Sequence, residues 1–168
     1  MTERGAEPDR LNADTRRVLA AATEDARGRG HRHLGTGHLL MGVLSVPTAP
    51  GARRLAALGV TLHAVDLEFV RIAGYGQRAA PPDGELTGDA AEDVFGSGPL
   101  VRRRWWQRRR PLPMSAAARA ALRAAGAQTD GPVGTEHLLL GLLVSTPGLA
   151  HRLLTGHGVT AERIRTHP

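Results

Sequence analysis

Residues 34–44 read LGTGHLLMGVL, and residues 133–143 read VGTEHLLLGLL. The two stretches are related by a fixed offset of 99 residues, and the same offset pairs the GVT of residues 59–61 with the GVT of residues 158–160. Two copies that keep their internal spacing over this distance indicate one supersecondary unit that is duplicated within the chain. The sequence therefore predicts a pseudo-symmetric pair of repeats.

The composition bounds the class of protein. The chain has 168 residues, which suits one compact domain with a real hydrophobic core. It contains no cysteine, so disulfides and thiolate metal sites are excluded. Its formal net charge of +6 comes entirely from arginine, since lysine is absent. Because the chain has no apolar run of about 18 residues, we expect a cytoplasmic protein with no membrane span. We also expect no metal and no other cofactor.

Apolar residues recur at helical spacing in both repeats, which predicts an all-α fold with four short helices per repeat. The helix starts are marked by residues that cap free amide groups. The expected caps are Asn12, Thr36, Thr61 and Ser115. The predicted organisation is a flexible tail (1–10), repeat one (11–74), a long linker rich in proline and arginine (75–113) and repeat two (114–168).

Two glycines inside predicted helices stand at matching positions of the repeats. Gly42 and Gly141 each weaken their helix by about 1 kcal/mol relative to alanine. Their recurrence predicts that another helix backbone passes close to each of them. Pro47 and Pro50 are expected to stop the helix that contains Gly42 and to bound a turn.

The linker contains a basic run with two adjacent tryptophans. Its arginines alone are typical of a solvated loop, but each tryptophan carries a large apolar surface of about 150 to 250 Å² that favours burial. We expect the run either to fold back on the domain as a plug that a ligand displaces, or to bind an anionic partner. The residues concerned are Arg102, Arg103, Arg104, Trp105, Trp106, Arg108, Arg109 and Arg110.

The duplicated block resembles the amino-terminal Clp R domain of Clp/Hsp100 unfoldases, closest to the ClpC type. That family is built from two four-helix repeats with the pattern G-T-E-H-[IL]-L-L-G-L, and the likeness covers about residues 11–74 and 114–167. The resemblance implies a role in recognising proteins destined for unfolding or degradation, or their adaptors. The chain holds no G-x-x-x-x-G-K-[ST] motif, so we expect the recognition domain without its ATPase modules.

The resemblance also implies a ligand site in each repeat. In the ClpC type, the acidic residue of the signature is associated with the guanidinium of phosphoarginine; Glu136 retains it, whereas Gly37 does not. Thr36 and Thr135 precede these positions and join the candidate ligand-binding residues. A carboxylate at a helix start also complements the helix dipole, which is the structural alternative for Glu136. The basic residue usual near the start of each repeat is replaced here by Asp14 and Ala117.

Leu11 and Met114 stand where the family usually has an aromatic residue, near the groove between the repeats that cyclic peptide antibiotics occupy in related domains. Core filling is the alternative. His38 and His137 are expected to be hydrogen-bonded packing residues, since neither has a partner with metal-ligand spacing. The chain lacks the H-E-x-x-H and G-x-S-x-G motifs, so no enzymatic activity is expected.

The leading hypothesis is therefore a non-catalytic protein- or peptide-binding module, acting as an adaptor or decoy for Clp clients, adaptors or cyclic peptides. The alternative is a nucleic-acid or anionic-surface binder that uses residues 102–110. The two differ in salt dependence, because phosphate contacts lose affinity steeply as salt rises.

Overall fold

A computed structural model describes residues 10–73, 111–144 and 148–166. Eight helices lie in these ranges, and the regular structure there is otherwise limited to two isolated bridges, which confirms the all-α prediction. The helices of the first repeat are α1 (Ala13–Gly28), α2 (Thr36–Leu44), α3 (Pro50–Ala57) and α4 (Leu62–Ala73). Those of the second are α5 (Ala116–Gly126), α6 (Thr135–Val144), α7 (Leu149–Gly156) and α8 (Ala161–Thr166).

Helices α2 and α6, which contain the repeated signatures of residues 34–44 and 133–143, lie at the centre of the core. Both are almost uniformly apolar and buried along nearly their whole length. Helix α1 covers α2, and α5 covers α6. The third helix of each repeat crosses to the other repeat, so that α3 packs on α6 and α7 packs on α2. Buried residues of both repeats therefore belong to one hydrophobic core.

The predicted close-packing glycines are confirmed. A Cβ atom at Gly42 would lie 2.9 Å from Cβ of Ala22 and would collide with the carbonyl oxygen of Val18, both in α1. At Gly141 a Cβ atom would lie 2.9 Å from the backbone nitrogen of Ala125 and would collide with a carbonyl oxygen of α5. Each glycine therefore allows the first two helices of its repeat to approach closely.

Two short backbone bridges join the repeats in a reciprocal manner. The segment before α1 pairs in parallel with the segment before α6 at Leu11 and Val133, and the segment before α2 pairs with the segment before α5 at Leu34 and Met114. The second bridge reaches into residues that the sequence analysis assigned to the linker, since Leu34 donates to the carbonyl of Pro113 over 2.9 Å. The pseudo-symmetry is therefore expressed in backbone hydrogen bonds as well as in helix packing.

Most helix ends agree with the sequence, but the predicted cap of α2 does not. Asn12 and Ser115 cap α1 and α5 as predicted, by accepting from backbone N–H groups over 2.8 and 3.1 Å. The prediction that Thr36 caps α2 is wrong, because Thr36 is the first residue of that helix and Gly35 stands at the cap position. Pro50 bounds the turn after α2, as predicted, and is also the first residue of α3, where its fixed φ and missing N–H suit the first helical position.

Among the described residues, no single helix is long and apolar enough to cross a membrane. Only the bent pair of α6 and α7, with an angle of 97° between them, reaches that length and composition together.

Candidate functional site

The signature threonines join the two repeats. The hydroxyl of Thr36 accepts a hydrogen bond from the backbone N–H of Ala150 at the start of α7, over 3.2 Å. The hydroxyl of Thr135 accepts from the N–H of Gly51 at the start of α3, over 2.9 Å. Both threonines are fully buried. Each therefore satisfies a free amide at the start of a helix in the other repeat, and neither side chain is accessible to the ligand that the sequence analysis assigned to it.

The signature histidines cap their own helices. Nδ1 of His38 accepts from the N–H of Gly35 over 2.9 Å, and Nδ1 of His137 accepts from the N–H of Gly134 over 3.0 Å. This is the backward half of a capping box, with imidazole in place of the usual carboxylate or amide. Both histidines are hydrogen-bonded residues of the helix start, as predicted. No group of three potential metal ligands exists within the described ranges.

Glu136 lies where the starts of two helices meet. It is in the first turn of α6, and the hydrogen bond between Thr135 and Gly51 brings the start of α3 to the same place. Its carboxylate folds back over Gly134, since both oxygens lie 2.8 Å from the position that a Cβ atom would take there. The negatively charged side chain therefore lies at the positive end of α6, and the start of α3 contacts the neighbouring residue Thr135.

The carboxylate of Glu136 has an unsatisfied oxygen. Oε2 is buried and accepts no hydrogen bond from any described residue, and Glu136 forms no ion pair within the same part of the chain. A buried carboxylate oxygen without a donor is costly and is normally paired in a folded protein. Glu136 as a whole is half-buried, unlike the two signature threonines, so its side chain can turn outward and meet a cationic donor of a ligand.

The matching place in the first repeat holds an aromatic and cationic cluster. The guanidinium of Arg29 lies 4.4 Å from the ring centroid of Phe69, and Arg29 is bonded to Asp25 over 2.9 Å and to Asp66 over 2.5 Å. Burial alone would lower the pKa of Arg29, but the bonds to Asp25 and Asp66 raise it above its ordinary value. Arg29 thus stays charged inside this cluster.

A buried histidine pair completes the cluster. Because Nδ1 of His38 accepts from Gly35, neutral His38 carries its proton on Nε2, which lies 2.6 Å from Nδ1 of His31. His31 must then accept at Nδ1, so the tautomers of both rings are fixed. Burial, with the neighbouring His31 and Arg29, lowers the pKa of His38 well below its ordinary value.

The remaining candidates are packing residues, pair on the surface or lie outside the described residues. Leu11 is 6% exposed and packs with Ala125 and Val133, as the core-filling alternative predicted. Met114 is half-buried against the main core. Asp14, on the first turn of α1, forms an ion pair with Arg17. The basic run of residues 102–110, with both tryptophans, lies outside the described ranges, so the plug and the anionic-partner patch stay predictions.

Sequence reasoning missed the cross-repeat threonine caps and the cluster around Phe69. The threonine caps join residues that are 84 and 114 positions apart in the chain, so local patterns could not reveal them. One signal for the cluster was available. Gly37 breaks the signature in the first repeat, which indicated that something else fills the place of its side chain.

Comparison with known proteins supports the all-α fold. The crystal structure of the N-terminal domain of the Clp protease-associated chaperone ClpD from Arabidopsis thaliana superposes with a TM-score of 0.60. The match covers 93% of this chain and 90% of that one at 17% identity, so it establishes the fold. The profile of the Clp repeat (R) N-terminal domain family matches residues 10–95. The chain belongs to this family.

Sequence relatives are much longer proteins. A ClpA homologue from Cyanidium caldarium, named as an ATP-binding subunit of an ATP-dependent Clp protease, is 29% identical over 163 residues. The chloroplastic chaperone protein ClpC1 of Arabidopsis thaliana is 30% identical over 158 residues. These matches cover 95% and 94% of this chain but 16% and 14% of the relatives. The chain thus spans about a sixth of the length of these relatives.

Proposed function

We propose that this chain is a non-catalytic recognition module that binds clients or adaptors of the Clp pathway through a guanidinium group held by Glu136. Membership of the Clp repeat family supports the recognition role. The observation that carries the ligand chemistry is the half-buried carboxylate of Glu136, whose Oε2 accepts no hydrogen bond from the described residues. A guanidinium carries five N–H donors in a planar fork and pairs with a carboxylate through two parallel hydrogen bonds.

Phosphoarginine, the ligand that the family resemblance implies, fits the charge distribution around Glu136. Its guanidinium would bond to the carboxylate, and its phosphate would lie near the converging starts of α6 and α3, where backbone N–H groups and helix dipoles favour an anion. Ala117 supplies no cation to this phosphate, so the helix starts would be its main attraction. We therefore assign the guanidinium contact the larger share of the affinity.

Calorimetry with a phosphoarginine peptide tests the assignment, using Glu136→Gln as the variant. The substitution keeps the shape of the side chain but removes the charge, and a hydrogen bond to a charged group contributes about 1.5 to 3 kcal/mol, or roughly tenfold to over a hundredfold in affinity. Glu162→Gln is the matched control, because Glu162 also lies in the first turn of a helix and is exposed. We expect the first variant to lose binding and the second to bind like the wild type.

Equal affinity of Glu136→Gln and the wild type would remove Glu136 from the site. Salt titration adds a second criterion. Affinity that collapses between low and physiological salt and is independent of Glu136 would point instead to phosphate contacts of the arginine run, the nucleic-acid or anionic-surface alternative.

The adaptor or decoy role is tested with a reconstituted Clp protease and an arginine-phosphorylated client. A decoy in excess slows degradation, because it withholds the client from the unfoldase; an adaptor accelerates it. The Glu136→Gln variant should do neither. A chain that leaves the rate unchanged, or a variant as effective as the wild type, would refute this role.

A further inference from the structure

The ring of Phe69 stands in the place where the first repeat would carry its signature side chain. A Cβ atom at Gly37 would collide with Cε2 of Phe69 and would lie 3.0 Å from Cδ2 of the same ring. It would also lie 3.0 Å from Cδ2 of Leu149 at the start of α7. A carboxylate side chain at position 37, like that of Glu136 in the second repeat, therefore has no room in this structure.

The ring is fixed by its neighbours. Phe69 is fully buried, with the guanidinium of Arg29 on its face and the rings of His31 and His38 at centroid distances of 6.0 and 5.3 Å. Arg29 is itself 8% exposed and bonded to two carboxylates. To move the ring away from Gly37, the chain must disturb a cluster that is packed and hydrogen-bonded on several sides.

The second repeat lacks the parts of this cluster, because the 99-residue offset pairs Phe69 with Pro168 and because its first helix is shorter. Helix α1 has 16 residues and α5 has 11. When the two are aligned on the residues that contact Gly42 and Gly141, the additional turn of α1 carries Asp25 and leads to Arg29. The longer helix thus supplies the cation that lies on Phe69 only in the first repeat.

We propose that Phe69, clamped by Arg29, closes the first repeat's counterpart of the Glu136 site, so that the domain has one open site for a guanidinium ligand. The single-site part rests on the proposed function; the closure by Phe69 rests on packing alone. The glycine at position 37 is then the consequence of a site filled from within by the protein's own aromatic ring.

A double-mutant cycle tests the closure without any ligand. Gly37→Ala in the wild-type background should lower Tm by about 5 °C, because its Cβ atom meets a ring that cannot yield. In a Phe69→Leu background, which removes the ring edge and keeps an apolar side chain, the same substitution should have little effect. Phe69→Ala provides a second background if leucine still fills the space. Equal falls in all backgrounds, or no fall in the wild type, would overturn the closure.

Calorimetric stoichiometry with phosphoarginine tests the single site. The intact chain should bind one ligand, and Glu136→Gln should weaken that binding by roughly tenfold or more, leaving no site of wild-type affinity. Two equivalents in the wild type, or a site of wild-type affinity that persists in Glu136→Gln, would show that the first repeat is open and would overturn the inference. If the wild type binds none, the proposed ligand is wrong, while the double-mutant cycle still decides whether Phe69 closes the first repeat.

Discussion

Gly141→Ala is the sharpest perturbation of the packing between the first two helices of a repeat. The added methyl group would lie 2.9 Å from the backbone nitrogen of Ala125 and 3.1 Å from its Cβ atom, and it would collide with the carbonyl oxygen of Ala121. These contacts are largely with backbone, which cannot rotate away. Helices α5 and α6 must therefore separate to accommodate the change.

The expected loss can be estimated from two opposing terms. Overpacking of a well-packed core costs typically 1 to 3 kcal/mol, and a collision with backbone belongs at the upper end. Alanine regains about 1 kcal/mol of helix propensity over glycine. The net destabilisation should be about 2 kcal/mol, which lowers Tm by about 4 to 8 °C in a chain of this length.

Thermal unfolding followed by circular dichroism measures this loss, with Gly28→Ala as the matched control. Gly28 also lies in a helix, but a Cβ atom there meets nothing within 4 Å, so the control should be neutral or slightly more stable. If Gly141→Ala is as stable as the control, the reasoning that glycine is required for close helix approach is refuted.

Three further predictions concern other parts of the chain. Because the pKa of His38 is depressed in the folded chain, the unfolded chain binds more protons below about pH 6.5, and stability should fall as the pH drops through that region. A Tm that depends equally on pH in His38→Gln would contradict this. Thr135→Val should lose about 1 kcal/mol with the cross-repeat cap, measured by urea unfolding, whereas Thr155→Val at an exposed position should not; equal losses would contradict the cap. Trp105 and Trp106 should show a blue-shifted emission maximum that a bound ligand alters; a solvent-exposed maximum unchanged by ligand would rule out the plug.

Two features of the sequence predicted the fold, namely helical periodicity and the positions of certain glycines. Helical periodicity located all eight described helices, and the glycines at 59 and 158, both with positive φ, end α3 and α7 as the repeated GVT pattern predicted. Gly42 was informative because a glycine is unfavourable within a helix unless packing requires it. Each of these signals is either a pattern over a few neighbouring residues or the recurrence of such a pattern at the fixed offset of 99 residues.

The hydrogen bonds that cross from one repeat to the other could not be predicted from the same patterns. Local sequence rules predict that Thr36 caps its own helix, yet its hydroxyl accepts a hydrogen bond from the N–H of Ala150 in the other repeat. At the candidate site, the sequence indicated that the two repeats differ, since one has Glu136 where the other has Gly37. It did not show that Phe69, 32 positions further along, fills the place at Gly37, because that contact depends on the packing of α4 against α2.

Amide chemical-shift mapping during titration with phosphoarginine tests the central claim most directly. The account predicts that shifts concentrate on residues 134–137 and on Gly51 at the start of α3, with little change around Gly37. Shifts of equal size around Gly37, or shifts confined to surfaces away from Glu136, would contradict a single guanidinium site in the second repeat.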